Sequence, residues 1–182
     1  MFVALALSTF LAQIATAKPP SDAPRCTTVR DIRFTRLVYP LPKGWRPISQ
    51  VRLNRPRYEQ PHRKGDESFF YFEIGDIAYG DVNGDGIEDA AVVAFYGSNS
   101  GTFHVTDVYV FDCVQNSVAL LAVLREERER KKAGVPHTAN GYADPRSVHP
   151  MRISRGVLEM TYDAAPKPLR YRLVDGAWHR VR

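Results

Sequence analysis

The sequence predicts an all-β or β-dominated α+β fold, an antiparallel sandwich or bent sheet in a single domain. Three observations carry this expectation. Segments rich in Val, Ile, Tyr and Phe recur along the chain, as pleated, half-buried surfaces favour. Turn pairs such as Arg155-Gly156 and Asp175-Gly176 stand between alternating segments and read as hairpin connections. Helical periodicity is nearly absent, and the spacing of turn signals gives about eight to ten strands.

Taken in order, Phe2 to Ala17 is apolar and uncharged and ends in Ala15-Thr16-Ala17 before Lys18-Pro19-Pro20. This resembles a secretory signal peptide over residues 1–17, although a basic n-region is missing. The alternative is a buried apolar N-terminal element. Residues 18–28 read as a flexible leader, Pro-rich and polar as far as Arg25. The domain then occupies residues 29–182. Val29 to Tyr39 is expected as a first strand, with Ile32, Phe34 and Val38 at even spacing. Pro40 to Lys64 reads as irregular, with a short strand at Ile48 to Leu53.

The strongest strands follow. Phe69 to Gly80 is aromatic and β-branched, and Ala90 to Tyr96 is a continuous apolar run of the kind buried strands show. Gly97 to Gly101 reads as a turn, Thr102 to Cys113 as a strand, and Gln115-Asn116-Ser117 as a turn into Val118 to Leu124. The charge run Arg125 to Lys132 is either a short helix or a solvated excursion, and Ala133 to Pro145 is loop. Met151 to Ser154 and Val157 to Tyr162 form one hairpin, Leu169 to Val174 and Ala177 to Val181 another.

Charge is unevenly spread. Residues 18–64 hold 12 Lys and Arg against 3 Asp and Glu, whereas residues 65–113 hold none against 10. An acidic centre suits a cation, and the basic flanks either neutralise it in the fold or form a polyanion-binding face. The cysteines are Cys26 and Cys113. They can make neither a CxxC metal site nor a redox motif, but in an oxidising compartment they can bridge. Such a bridge closes a long loop, which the chain-entropy account values at up to about 4.5 kcal/mol.

The most informative segment is Asp81-Val82-Asn83-Gly84-Asp85-Gly86-Ile87-Glu88-Asp89. Asp81, Asn83 and Asp85 offer side-chain oxygens at spacing two, and Gly86 permits a sharp turn. The Ile87 carbonyl is the natural backbone ligand, with the Ile87 side chain expected against the core. Asp89 adds a carboxylate, and Glu88 points away. This is the alternating oxygen pattern of a calcium loop. Position twelve of the loop is Val92 rather than a bidentate Glu, so the loop joins strands, not helices. Expected affinity is that of extracellular modules, about 10⁻⁴ to 10⁻³ M. The other reading is a calcium-free turn capped by Asp and Asn side chains.

Ile77 to Val93 around this loop resembles the FG-GAP, or VCBS-like, repeat. That resemblance implies Ca2+ held by Asp81, Asn83, Asp85, Ile87 and Asp89 between neighbouring strands. No second copy occurs, and a propeller needs several blades, so neither a full propeller nor the adhesion role of its best-known members carries over. Phe70 to Leu121 is also similar to small exported bacterial proteins that carry one such loop.

Catalytic patterns are weak. His62, His104, His137, His149 and His179 make no His-x-His or His-Glu-x-x-His pair. Gly97 to Gly101 has Asn99 where a nucleophile elbow needs Ser. Glu73 and Asp76 are a conceivable acid–base pair, with surface solvation the default. Tyr58, Tyr142 and Trp45 are candidates for a carbohydrate or peptide surface. Three function classes therefore remain. The first is an exported, secreted or periplasmic, monomeric or weakly associating calcium-stabilised domain with a binding or structural role at the cell envelope, its partner an envelope component. The second is a polyanion-binding module using Arg25 to Lys64, without sequence-specific nucleic-acid recognition. The third is an envelope hydrolase.

Overall fold

A computed structural model describes residues 24–43, 48–61, 69–99, 104–125, 148–162 and 168–181. The expectations for residues 1–17, the start of the leader, the run after Arg125 and the loop to Pro145 lie outside the described residues. So do those for Trp45, His62, His137 and Tyr142.

Among the described residues there are eleven strands and two 3₁₀ turns, and no α-helix. The strands are β1 (Val38–Pro40), β2 (Gln50–Arg52), β3 (Arg57–Pro61), β4 (Phe69–Gly80), β5 (Asp89–Ser98), β6 (His104–Val114) and β7 (Ser117–Arg125). Four more follow: β8 (Val148–Ser154), β9 (Val157–Tyr162), β10 (Leu169–Val174) and β11 (Ala177–Val181). A five-stranded sheet, β3-β4-β5-β6-β7, lies at the centre. A four-stranded sheet, β11-β10-β9-β8, and a β1-β2 ribbon complete an entirely antiparallel structure.

The central sheet is covered on both faces. On one face, Ala90, Val92, Ala94 and Tyr96 of β5 meet Val29, Phe34, Leu37, Tyr39 and Val51 from the N-terminal segment. On the other, Ala91 and Val93 meet Met151, Leu158, Met160, Tyr171 and Leu173 of the C-terminal sheet. Residues 90 to 94 are all fully buried, which is why the sequence reads as an unbroken apolar run rather than an alternating one. Each Val or larger side chain so buried contributes on the order of 1.5–3 kcal/mol.

The first core is aromatic. Tyr39, fully buried, meets Tyr109 edge-on at 5.0 Å and Phe72 at 5.1 Å between ring centroids. Its hydroxyl donates to the Phe34 carbonyl at 2.8 Å, and the Tyr109 hydroxyl donates to the Pro40 carbonyl at 3.0 Å. At the edge of this core Asp107, 1 % exposed, accepts from the Tyr96 hydroxyl and from Arg125. A disulfide joins Cys26 to Cys113 across 87 residues of sequence, its Cα atoms 5.9 Å apart.

A bulge in β4 sets which of its residues face which core, and a glycine at its end sets how closely the C-terminal sheet approaches. Between Ile74 and Ile77 β4 bulges against β5, so Phe70, Phe72 and Ile74 share a face with Ile77 and Tyr79 despite the change from even to odd numbering. Gly75 sits in that bulge because a Cβ there would strike the Phe95 ring. At the end of β4, a Cβ on Gly80 would lie 2.7 Å from Ile153 Cγ2, so glycine lets the C-terminal sheet approach the backbone.

Several expectations are corrected. Val29 to Tyr39 is not one strand: it forms 3₁₀ turns at Val29–Asp31 and Phe34–Arg36 and only then β1. The segment after Pro40 holds β3 as well as the expected short strand, which is β2. The last part of the 18–28 leader is tied down, since Arg25 bridges Ser117, Val118 N–H donates to Pro24 and Cys26 N–H donates to Asn116. The turns at Gln115-Asn116, Arg155-Gly156 and Asp175-Gly176 form as expected, each with both residues at positive φ. Among the described residues no helix is long and apolar enough to cross a membrane.

Candidate metal centre

The loop between β4 and β5 spans residues 81–88 and is shaped by its own side chains. Gly84 and Gly86 have φ of 83° and 85°, a left-handed conformation that side chains resist. Asp81 uses both carboxylate oxygens to hold the turn: Oδ1 accepts from Gly84 N–H at 2.6 Å and Oδ2 from Gly86 N–H at 2.9 Å. Asn83 Oδ1 accepts from Asp85 N–H at 2.9 Å, and Asp85 Oδ1 from Ile87 N–H at 2.8 Å. Such side-chain-to-backbone bonds are what Asp and Asn do in tight turns.

The loop is plugged into the molecule by Val82, fully buried in the aliphatic core. Ile87 does not pack against the core as expected: it is 55 % exposed, because the paired glycine turns carry residue 87 outward while Val82 takes the buried position. Glu88 points away from the loop interior. It forms a two-pronged ion pair with Arg30, both contacts 2.7 Å, and Arg30 lies over the Tyr79 ring at 4.4 Å. The guanidinium holds the Glu88 carboxyl below its usual range.

Asp89 is the unusual member. It is fully buried at the start of β5, and its Oδ2 accepts from Val82 N–H at 2.8 Å. Its Oδ1 is buried without a hydrogen-bond partner among the described residues. Burial first, then repulsion from Asp112 and Asp85, pushes its carboxyl up to about 6. Asp112 was not among the residues singled out from sequence. Ala90 pairs with Phe111, so one step further along the ladder Asp89 faces Asp112. Asp112 is 4 % exposed, accepts from Cys113 N–H, and its own carboxyl is raised by burial and by Asp85. An Asp at the end of a strand gives no sign in sequence of which residue it will oppose.

The donor set is all oxygen and carries carboxylates from Asp81, Asp85 and Asp89, which is the chemistry a hard divalent cation prefers. A hydrogen bond to a loop amide occupies only part of a carboxylate's accepting capacity. Among the described residues Asp89 Oδ1 meets no hydrogen-bond partner, and the carboxyl is eased only by the Val82 and Asn83 backbone N–H groups. Burying such an atom uncompensated costs on the order of 1–3 kcal/mol. In chemistry, then, the residues fit a calcium ion. In arrangement, the loop oxygens are turned onto loop amides, and among the described residues no three His, Cys, Asp or Glu side chains converge as a metal-holding group.

The other candidates are not gathered into a site. Glu73 pairs with Arg57 at 3.1 Å and Asp76 is exposed in the β4 bulge. Tyr58 is half-buried, its hydroxyl donating to Gln60. His179 is exposed on β11. Among the described residues no histidine lines the two grooves beside the β8–β9 turn. Comparison with protein-family models, curated proteins and solved structures gives no match, so the chemistry of this chain is argued from its own residues.

Proposed function

We propose that this chain is an exported β domain, secreted or periplasmic, in which one calcium ion pins the β4–β5 connection. Asp81, Asn83, Asp85, the Ile87 carbonyl and Asp89 are its ligands, and the role is one of binding or structure at the cell envelope. The observation that carries the reading is the buried, unpartnered Oδ1 of Asp89 within a loop whose oxygen spacing resembles FG-GAP calcium loops. The Cys26–Cys113 disulfide supports an oxidising compartment. The ion is structural in this reading, because its ligands lie in one short loop that buried Val82 anchors to the core.

Thermal unfolding in chelator and in rising calcium tests it. The midpoint should rise, and the stabilisation should follow the linkage law, reaching about 2.7 kcal/mol at a hundredfold excess over Kd. Asp85→Ala should erase the difference between calcium and chelator. A wild-type chain indifferent to millimolar calcium overturns the ligand assignment.

A further inference from the structure

We propose that the outward face of the C-terminal sheet is a binding site for a compact ligand carrying several phosphate or sulfate groups. Alternation along β10 buries Leu169, Tyr171 and Leu173 and turns Arg170, Arg172 and Val174 to solvent. Arg152 of β8 joins them on this face, since it and Arg170 both register with Glu159 of β9. Arg155 adds its guanidinium from the β8–β9 turn. Together these four arginines line a groove of about 480 Å³, with Ser154 and Glu159. Arg155 and Arg172 also line a second groove of about 470 Å³ that reaches Asp81, Asn83 and Gly84 of the β4–β5 loop.

The charge on this face is not balanced from within. Among the described residues Glu159 is the one carboxylate lining the first groove, engaged by Arg170 Nε at 3.0 Å, and Asp81 is the one lining the second, its oxygens turned onto loop amides. Arg152, Arg155 and Arg172 make no ion pair among the described residues and stand exposed. Like charges gathered on one sheet face repel, and an anion shared between them removes that cost. Guanidinium forks match the paired oxygens of phosphate and sulfate better than they match a spherical anion. By contrast Arg30 and Arg57 of the N-terminal, arginine-rich stretch are already held by Glu88, Glu59 and Glu73. Arg33, Arg36, Arg52 and Arg55 of that stretch are exposed too but line neither groove, whereas Arg152, Arg155, Arg170 and Arg172 are gathered in one.

Geometry narrows the ligand. Arg170 and Arg172 stand two residues apart on one strand, about 7 Å, and β8 lies two strands from β10, about 10 Å. Among the described residues no aromatic side chain lines either groove. A base or a neutral sugar ring thus has no stacking platform, and recognition falls to the spacing of tetrahedral anions. A volume near 480 Å³ suits a small molecule.

The test is calorimetric titration of the full chain with myo-inositol hexakisphosphate, and in parallel with inositol hexasulfate, in chelator at low salt. Chelator keeps the outcome independent of the calcium reading. Binding should weaken as salt rises. Arg155→Ala with Arg172→Ala should lower affinity about tenfold or more, with the melting temperature unchanged. The exposed pair Arg52→Ala with Arg55→Ala should leave it within about twofold. Binding of both probes assigns the site to tetrahedral oxyanions in general, and binding of the phosphate alone assigns it to phosphoryl ligands. Failure of both probes to bind, or equal losses in the two double variants, overturns the proposal.

Discussion

The two faces of the central sheet are covered by layers of different kinds. The N-terminal layer has little regular structure: two 3₁₀ turns, a three-residue ribbon, and a disulfide. What it offers is aromatic, with Tyr39 edge-on to Tyr109 and Phe111 and tilted against Phe72. The C-terminal layer is a four-stranded meander with no disulfide to the central sheet among the described residues, and it offers mainly aliphatic side chains, with Tyr171 among them, against Ala91, Val93, Val108 and Val110. A layer that satisfies its own backbone in a sheet can dock by side chains alone. A layer without that ladder relies on aromatic area, on hydroxyls placed to satisfy carbonyls, and on a cross-link that limits the freedom of the unfolded chain.

The largest effects should come from the centre of each layer. Tyr39→Ala should cost about 3–5 kcal/mol and Leu158→Ala about 2–5 kcal/mol in urea unfolding. A single transition with unchanged m-value in both would show that the two layers melt as one unit, while a second transition in either would separate them. Next comes the cross-link. Replacing Cys26 and Cys113 with Ser should lose about 2–4 kcal/mol. In hydrogen exchange the loss of protection should concentrate in residues 26–53 and spare β9 and β10.

A smaller effect is a dependence on pH that starts in the central sheet, at the first residue of β5. The Asp89 carboxyl titrates at about 6 in the metal-free fold, against the ordinary 3.8. Between those values the native state binds more protons than the unfolded chain, so in chelator this group makes stability fall as pH rises from about 4 to 6. Asp89→Asn should flatten that slope, and calcium should reverse it. A slope unchanged in Asp89→Asn would assign it elsewhere. Smallest is Arg30→Ala. Its ion pair with Glu88 is solvent-exposed, and its loss should sit at the limit of detection in 0.15 M salt.

How far the sequence was legible follows the same divide. β8 to β11 were readable because positive-φ turn residues and strict alternation speak locally. The N-terminal layer was not. Ile32, Phe34 and Val38 have strand spacing, yet consecutive 3₁₀ turns bring Val29, Ile32, Phe34 and Leu37 to one core as well as a strand would. β3 hides among prolines because it is an edge strand, where Pro61 is tolerated. In the loop, the oxygen pattern is local and legible, whereas Asp112 and the Arg152–Arg172 face depend on register and layer order, which no window of sequence contains.

Ala90 to Tyr96 has no charge and no proline, and strand β5 is safe only while both its faces are shut. During synthesis the chain supplies one cover before this segment and the other after it. Until residues 148–181 are made, the central sheet presents Ala91, Val93, Val108 and Val110 as an open apolar surface beside a segment of high β-propensity. Nascent or truncated chains that end before β8 are thus the aggregation-prone species of this protein, and expression of any fragment lacking the C-terminal meander should favour inclusion bodies over native fold.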